Sequence, residues 1–535
     1  MKPVEELIIK TLKQKSFLRS KFELEKRKIS KKYKCNLLTN INILSVYRNL
    51  IKEKKIKQDK NFEELLKKQK TRTLSGIASI AIFTKPYKCP GKCLYCPSQP
   101  KMPKSYLNDE PAVMRAILCN YSPKKQIETR LEALNICGHK TDKIELIIMG
   151  GSWTALPKNY QNNFVLKCFK TANHFNKQKN NKTNKQTTLT DEQKRNEKAK
   201  HRIIGMTLET RPDLIDEKEV IRMRKLGATR IELGVQSIYD NVLKFNNRGH
   251  LIDKTIQATQ LLKDAGFKIN YHMMPNLPKS NNNKDLQMFE ELFSDSSFQP
   301  DMLKIYPCVL TKNSKLYKVW KAGKYKPYSD KEIVELLIKI KQKIPKYVRI
   351  MRLGRDIPAP DIVAGNKMSN IRQVVHAKMI EQNLLCKCIR CREVRNGKWE
   401  MGDIKLTRMD YNASNGKEIF LSYEDEKNNK ILAYLRLRIP SQYFTHEKHY
   451  INVLNNCAII RELKSLGQMV EIDKKNLKAS QHMGLGKSLM KEAEKIVKKE
   501  FRLNKIAVIS GVGVRDYYRK QGYKFQDSYM IKKIK

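Results

Sequence analysis

The stretch Lys88-Cys-Pro-Gly-Lys-Cys-Leu-Tyr-Cys96 decides the reading of this chain, because it sets Cys89, Cys93 and Cys96 in a C-x3-C-x2-C pattern. Three thiolates so spaced, with an aromatic before the last, can hold three irons of a [4Fe-4S] cluster and leave the fourth iron open. An open iron can chelate the amino and carboxylate groups of S-adenosylmethionine. One electron passed to that molecule releases a 5′-deoxyadenosyl radical, so this reading also requires an electron donor, which the residues do not name. The plainer alternative is a zinc knuckle lacking one ligand.

Around this motif the chain alternates β-rich runs with helical stretches. Gly76–Phe83, Ile144–Met149, Ile203–Leu208, Arg230–Val235, Lys268–His272 and Met302–Tyr306 read as strands, with amphipathic helices such as Glu217–Leu226 and Asp253–Ala265 between some of them. Alternation at this spacing predicts an α/β fold of parallel strands with crossover helices, open or closed as a barrel. The Asn-, Lys-, Gln- and Thr-rich tract Asn176–Thr188 is poor in apolar residues and reads as a surface insertion.

Strand ends are where barrel chemistry collects. Gly150-Gly151-Ser152 follows one strand, and its glycines would let a ligand such as the methionine ammonium approach the backbone; a tight turn is the alternative. Glu209, Arg211 and Gln236 end two further strands and are candidate ligands for ribose, carboxylate or adenine, or else a salt-bridged rim. Lys304 has the same two readings.

Composition limits the function classes. A chain of 535 residues exceeds a single core, and 40% hydrophobic residues suit a globular protein. Lys plus Arg number 108 against 54 Asp plus Glu, a formal charge of +54 that implies a polyanionic partner, nucleic acid before membrane. The longest apolar stretch, near Leu74–Phe83, is too short to span a bilayer. Six of the 12 cysteines fall in two tight clusters, which fits metal binding in a reducing, cytoplasmic setting better than a disulfide framework. Residues 1 to about 70 read as helices carrying 21 basic and 8 acidic side chains, either a solvated layer or a landing surface for RNA.

The second cysteine cluster, Cys386-Lys-Cys388-Ile-Arg-Cys391, suits three ligands of one tetrahedral zinc, with three reduced thiols in a turn as the alternative and His376 a possible fourth ligand. Farther on, Gln481-x-x-Gly484-x-Gly486 opens a helix, where backbone amides and the helix N-terminus suit a pyrophosphate. It lies between a strand at 457–463 and the run strand 505–510, helix 514–520 and a terminal strand near 523–531, the order of an N-acetyltransferase core. Tyr517 and Tyr518 on that later helix could place a phenol near a thioester sulfur, or could simply pack.

Together these motifs resemble the catalytic subunit of Elongator and its single-chain prokaryotic relatives. The matching phrases include Pro103-Lys-Ser-Tyr106, Glu110-Pro-Ala-Val-Met-Arg-Ala116, Glu145-Leu-Ile-Ile-Met-Gly-Gly151, Glu209-Thr-Arg-Pro-Asp213, Glu232-Leu-Gly-Val-Gln-Ser237, Leu303-Lys-Ile-Tyr-Pro307, Asp356-Ile-Pro-Ala-Pro-Asp361 and Ile509-Ser-Gly-Val-Gly-Val-Arg515. The resemblance begins at about residue 72 and implies a radical-SAM partial (β/α) barrel at 72–380, a zinc-binding linker at 381–400 and a GNAT-like acetyltransferase domain at 401–535, after the basic helical region at 1–71 whose charge suits tRNA binding. It implies carboxymethylation of the wobble uridine of certain tRNAs, with acetyl-CoA as carbon source. It also implies that Lys158, Glu462, Leu463, Lys464, Ser465, Leu485, Gly486, Lys487 and Tyr518 contact acetyl-CoA. Two features depart from the family pattern: the first cluster is one residue tighter than usual in these relatives, and Met483 stands where a basic or amide side chain is typical. A protein lysine acetyltransferase and a non-catalytic tRNA-binding protein are the competing functions.

Overall fold

The computed structural model describes residues 2–14, 18–66, 76–176, 187–394, 402–467 and 484–534. Gln481, Met483 and most of the Asn- and Lys-rich tract lie outside the described residues. No helix among the described residues is long and apolar enough to cross a membrane.

The basic N-terminal region forms helices Lys2–Leu12, Arg19–Lys32, Asn40–Lys52 and Lys60–Leu66. They enclose a core of their own, with Leu7, Ile8, Ile43, Tyr47 and Phe62 inaccessible to solvent. Arg48 ties this bundle to the next domain by donating to the Asn135 carbonyl at 2.8 Å.

The next domain is a sheet of parallel strands β1 (Ile77–Phe83), β2 (Lys143–Met149), β3 (Arg202–Thr210), β4 (Arg230–Gln236), β5 (Lys268–Met273) and β6 (Met302–Ile305). Strands β7 (Leu310–Thr311), β8 (Arg349–Leu353) and β9 (Ile362–Ala364) follow. The order β1-β2-β3-β4-β5-β6-β8 makes a seven-stranded all-parallel sheet, and β7 and β9 pair separately as a short antiparallel ladder. The alternation of β2 shows why the sheet curves round a polar interior. Ile144, Leu146 and Ile148 are buried under the outer helices, whereas Lys143, Glu145, Ile147 and Met149 point to the concave side and stay partly accessible. Six of the strands match the sequence reading. β8 escaped it, because Arg-Ile-Met-Arg-Leu does not read as a β-rich apolar run.

The C-terminal domain has strands β10 (Ile404–Ala413), β11 (Gly416–Asp425), β12 (Lys430–Ile439), β13 (Ala458–Ser465), β14 (Lys505–Val508), β15 (Lys524–Gln526) and β16 (Tyr529–Lys533). Their order is β10-β11-β12-β13-β14-β16-β15. The terminal strand expected near 523–531 is a hairpin, because Asp527 and Ser528 take left-handed backbone conformations and reverse the chain. Helix Leu485–Lys499 buries Leu489, Met490, Ala493, Ile496 and Val497 against this sheet.

Two features of β13 shape the site. A bulge opposite Arg436/Leu437 sets Arg461 and Glu462 side by side, so that Arg461 meets Asp301 of the first domain while Glu462 accepts from Arg436 of β12. β13 also pairs with β14 only over Ala458–Ile460, so its last residues diverge from that neighbour and the sheet splays.

The C-terminal sheet sits beneath the N-terminal ends of the barrel strands. Gly511 and Gly513 press onto the start of β3 so closely that a Cβ at Gly511 would overlap the Ile204 carbonyl. Arg438 donates to Asp264 at 2.8 Å and to Glu418 at 3.0 Å, Arg224 reaches the Ser510 carbonyl at 2.8 Å, and Arg392 pairs with Glu424 at 2.7 Å. One apolar cluster runs through both domains, from Ala78 to Ile531, and includes Cys386, Cys388 and Ile389 of the segment between them.

Candidate active site at two ends of one barrel

At the upper end, the loop after β1 carries the first cysteines: Cys93 is buried, and Cys89 and Cys96 are half-buried. The amide of Gly91 donates to Cys89 Sγ at 3.4 Å, and Arg248 Nη1 donates to Cys93 Sγ at 3.6 Å. Burial works against a thiolate at Cys93, but Arg248, Tyr95 and Arg211 together more than offset it and hold the thiol below its usual range. Arg211 is fixed by two 2.9 Å bonds to Asp213 and by one of 2.8 Å to the Arg248 carbonyl. Its Nη1 is buried without a partner and lies where a Cβ at Gly91 would collide with it. Amide and guanidinium donors at Cys89 and Cys93, with an orphaned guanidinium nitrogen beside the same loop, fit an anionic iron–sulfur cluster.

The Gly150-Gly151-Ser152 turn borders the same loop. Ser152 Oγ lies 4.0 Å from Cys89 Sγ, and Gly150, at φ +128°, has no room for a side chain because Thr84 fills that space. Gln236 ends β4 at φ +75°, a left-handed conformation rare for a non-glycine residue.

Below this loop the concave wall carries an ionic layer. Glu209 accepts from Tyr106 Oη at 2.7 Å, and Glu232 pairs with His272 at 2.8 Å and with Asn270 at 3.1 Å. Lys304 pairs with Glu232 and lies 3.7 Å from Glu209. Burial pushes Glu209 up to about 7, with Lys304 pulling the other way. Burial opposes the charge of Lys304, but Glu232, Tyr306 and Glu209 together outweigh it and raise its pKa above the usual lysine range. The ligand atoms of Glu209, Glu232 and His272 lie within 4.8 Å of one another, but the Lys304 ammonium already supplies the cation this group needs. Tyr106, Glu232, His272 and Arg248 were not read as site residues. For Glu232 and His272 the available signal was polar side chains at alternate positions of β-rich runs, Arg230 and Glu232 or Lys268, Asn270 and His272; Tyr106 and Arg248 lie in loops without such a signal.

At the lower end, Gly484 takes φ +73° and begins helix Leu485–Lys499, whose first amides are left unpaired by helix geometry. A Cβ at Gly486 would lie 3.1 Å from Tyr517 Oη, 3.7 Å from Ser465 Oγ and 3.9 Å from Leu463 Cδ2, so these residues form one niche beside the splayed β13. Tyr517 is 39% exposed, whereas Tyr518 is 7% exposed and belongs to the apolar core. Glu462 and Lys464 face the barrel, where their charges act on Glu145, Arg230, Lys268 and Arg349. Lys158 is exposed and begins the helix that follows the Gly-Gly turn, so it stands on the upper rim, a barrel's height from this niche.

The sulfur atoms of Cys386, Cys388 and Cys391 lie within 4.8 Å of one another, and Lys341 Nζ donates to Cys391 Sγ at 3.4 Å. His376 is not part of this group.

The chain matches the Radical SAM superfamily over residues 84–292 and the Radical_SAM C-terminal domain over 300–381. It is 46% identical over 483 residues to a tRNA uridine(34) acetyltransferase of Methanocaldococcus infernus, covering 88% of each chain. It is 38% identical to Elongator complex protein 3 of Saccharomyces cerevisiae, over 88% of this chain and 85% of the relative. Its fold matches a solved Methanocaldococcus infernus Elp3 with an N-terminal deletion (1–46), with TM-score 0.74 and 43% identity, covering 86% of this chain and 100% of that one. Cysteine loop, parallel barrel and sequence agree: the chain belongs to the radical-SAM family of tRNA uridine(34) acetyltransferases and Elongator complex protein 3.

Proposed function

We propose that this protein is a tRNA-modifying enzyme that converts the wobble uridine to 5-carboxymethyluridine, using S-adenosylmethionine and acetyl-CoA. The observation that supports the reading is a three-cysteine loop and a helix-capped niche at Gly486 at opposite ends of one barrel, in a chain 46% identical to a tRNA uridine(34) acetyltransferase. When bound, the [4Fe-4S] cluster supplies one-electron cleavage of S-adenosylmethionine. Cys89, Cys93 and Cys96 would hold it, with Arg248 and Arg211 compensating its negative charge. The Gly150–Ser152 turn would receive the methionine end, and Glu209, Gln236 and Lys304 the polar groups of the adenosyl part. Leu463, Ser465 and the amides of Leu485–Lys487 would hold the acyl carrier, with Tyr517 rather than Tyr518 near the thioester.

The chain divides as a basic tRNA-binding bundle up to residue 71, a radical-SAM domain at 72–380, a metal-binding segment at 381–400 and a GNAT-like domain from 401. Three sulfurs within 4.8 Å suit three corners of one zinc ion. A tRNA substrate fits a cytoplasmic enzyme. A protein lysine acetyltransferase is disfavoured because simple acetyl transfer has no use for the radical-SAM domain that occupies residues 84–381.

The test is reconstitution. Anaerobically prepared protein given S-adenosylmethionine, a reductant, acetyl-CoA and tRNA should yield carboxymethylated uridine by nucleoside mass spectrometry. Acetylated protein with unmodified tRNA would reverse the choice.

A further inference from the structure

The cysteine loop also borders a surface hollow that the proposed chemistry does not use. It measures about 610 Å³ and is lined by Pro90 and Lys92 of the loop, by Lys244, Asn247 and Gly249 after β4, and by Lys315 after β7. Its walls adjoin the thiols directly. Pro90 follows Cys89, Lys92 precedes Cys93, and Arg248, between Asn247 and Gly249, turns inward to donate to Cys93 Sγ at 3.6 Å. The Leu94 amide donates to the Asn246 carbonyl at 3.0 Å, and the Leu94 carbonyl accepts the Leu316 amide at 2.8 Å. All three walls are therefore hydrogen-bonded to each other through the residue that follows Cys93.

The hollow is cationic. Lys92, Lys244 and Lys315 come from three separate segments and are exposed, and no acidic residue lines it. Lys279 extends the same sign beyond Lys244, with its Nζ 5.4 Å from the ring centre of the exposed Phe245. Carboxylates of the adjoining segments are engaged elsewhere: Asp213 with Arg211 at 2.9 Å, Asp240 with the Ile252 amide at 2.9 Å and Asp253 with Lys254 at 3.9 Å. Gly150, Ser152, Glu209, Gln236 and Lys304 take no part in the lining, so a partner seated here does not compete for the residues proposed to receive S-adenosylmethionine.

We infer that this hollow is the docking surface of the electron donor, and that the donor is an acidic one-electron carrier protein. Cys93 is buried, so the electron has to cross protein, and transfer slows steeply with distance. A carrier seated in the hollow stands against the cysteine loop itself. One electron leaves the carrier, which is oxidised by that electron, and the cluster is reduced by it; no bond forms and no proton moves. Encounters between electron-transfer proteins bury little area and depend on complementary charge for their rate, which suits lysines grouped round a shallow hollow. An RNA phosphate would also meet these lysines, but the reacting base has to enter beside Glu209 and Lys304, which lie outside it. The inference rests on the proposed cleavage of S-adenosylmethionine and adds where its electron enters.

The test uses the full-length, cluster-loaded protein and reduced plant-type ferredoxin, a low-potential carrier with an acidic surface. Electron transfer, followed by stopped-flow absorbance, should slow as salt rises. Lys92→Glu, Lys244→Glu and Lys315→Glu combined should slow it at least about tenfold at low salt. Photoreduced 5-deazaflavin, which needs no docking, should reduce wild type and variant alike. A carbodiimide, which joins a ferredoxin carboxylate to a lysine amine as an amide and takes up the water released, should cross-link the wild type at Lys92, Lys244 or Lys315. A wild-type rate that ignores salt, or cross-links only elsewhere, would overturn the docking surface. So would a variant that keeps its ferredoxin rate and loses tRNA affinity, which would assign the hollow to RNA. Should the variant lose its cluster, the salt dependence and cross-links of the wild type decide. Reduction by deazaflavin without release of 5′-deoxyadenosine would sink the proposed function and leave the docking surface to be judged on its cross-links and salt dependence.

Discussion

Arg461 of β13 donates through Nη1 to Asp301 Oδ2 at 2.9 Å, and neither side chain reaches solvent. The same Asp301 oxygen accepts the Ile269 amide at 2.8 Å, while Arg436 and Lys263 lie 3.6 and 3.9 Å from its partner oxygen. One carboxylate thus binds the start of β5, the approach to β6 and β13. Asp301→Ala would leave Arg461, Lys263 and Arg436 with only Glu418 and Glu462 as counter-charges and should cost about 3 kcal/mol. Thermal unfolding with intact secondary structure is the measurement; a loss below about 1 kcal/mol would mean that water replaces the carboxylate. Burial opposes ionisation of Asp301, but Arg461, Lys263 and Arg436 together hold it far below the usual carboxylate range. Its stabilising contribution is therefore complete above about pH 4 and fades as pH falls further.

Glu209 should show the opposite sign. Its carboxyl is raised from 4.5 to about 7, so between those values the folded protein holds a proton that the unfolded chain releases. Stability contributed at this position falls as pH rises across that window. Glu209→Gln, which cannot ionise, should gain on the wild type by on the order of 2–3 kcal/mol between pH 5 and pH 8. Tm of both proteins at the two pH values checks this, and a constant difference would rule it out.

The cysteine loop and most parallel strands were legible because each depends on local pattern: thiol spacing, turn glycines and β-rich runs. β8 was hidden because a strand facing a polar interior lacks the apolar alternation that marks one facing a core. The domain seam was hidden for a related reason. Arg224, Arg392, Arg436, Arg438 and Arg461 are almost inaccessible, yet nothing local separates them from the many exposed cations of a chain charged +54. Only their partners, tens to hundreds of residues away, define them. The same limit left Tyr517 and Tyr518 equivalent in sequence, although one lines the niche and its neighbour fills the core.

Gly486→Glu tests the lower niche. The added side chain would start 3.1 Å from the Tyr517 hydroxyl and carry negative charge to the helix start that is proposed to meet a pyrophosphate. Acetyl-CoA affinity should fall at least about tenfold, roughly 1.4 kcal/mol, while iron content and tRNA affinity stay unchanged. Calorimetry of the variant checks this, and undiminished affinity would move the carrier away from Gly486.

The N-terminal bundle should act through charge. Residues 1–70 hold 21 basic and 8 acidic groups, a net 21 − 8 = +13, and the bundle encloses its own core around Tyr47 and Phe62. Its tie to the barrel runs through Arg48 and the Asn135 carbonyl, with Ile136 packed against it. The solved archaeal relative lacks its first 46 residues and retains the common fold. Removing residues 1–70 should therefore leave the barrel folded and its iron and acetyl-CoA binding intact. What should change is the interaction with tRNA, because phosphate contacts release counterions and make affinity fall with salt in proportion to their number. The truncated protein should bind tRNA more weakly and with a shallower slope of log affinity against log salt, since the wobble base itself must be held by the barrel. Titrations at several salt concentrations measure both quantities. An unchanged slope would mean that these cations face solvent rather than RNA, and that the bundle serves only to cover Ile136 and the helix it ends.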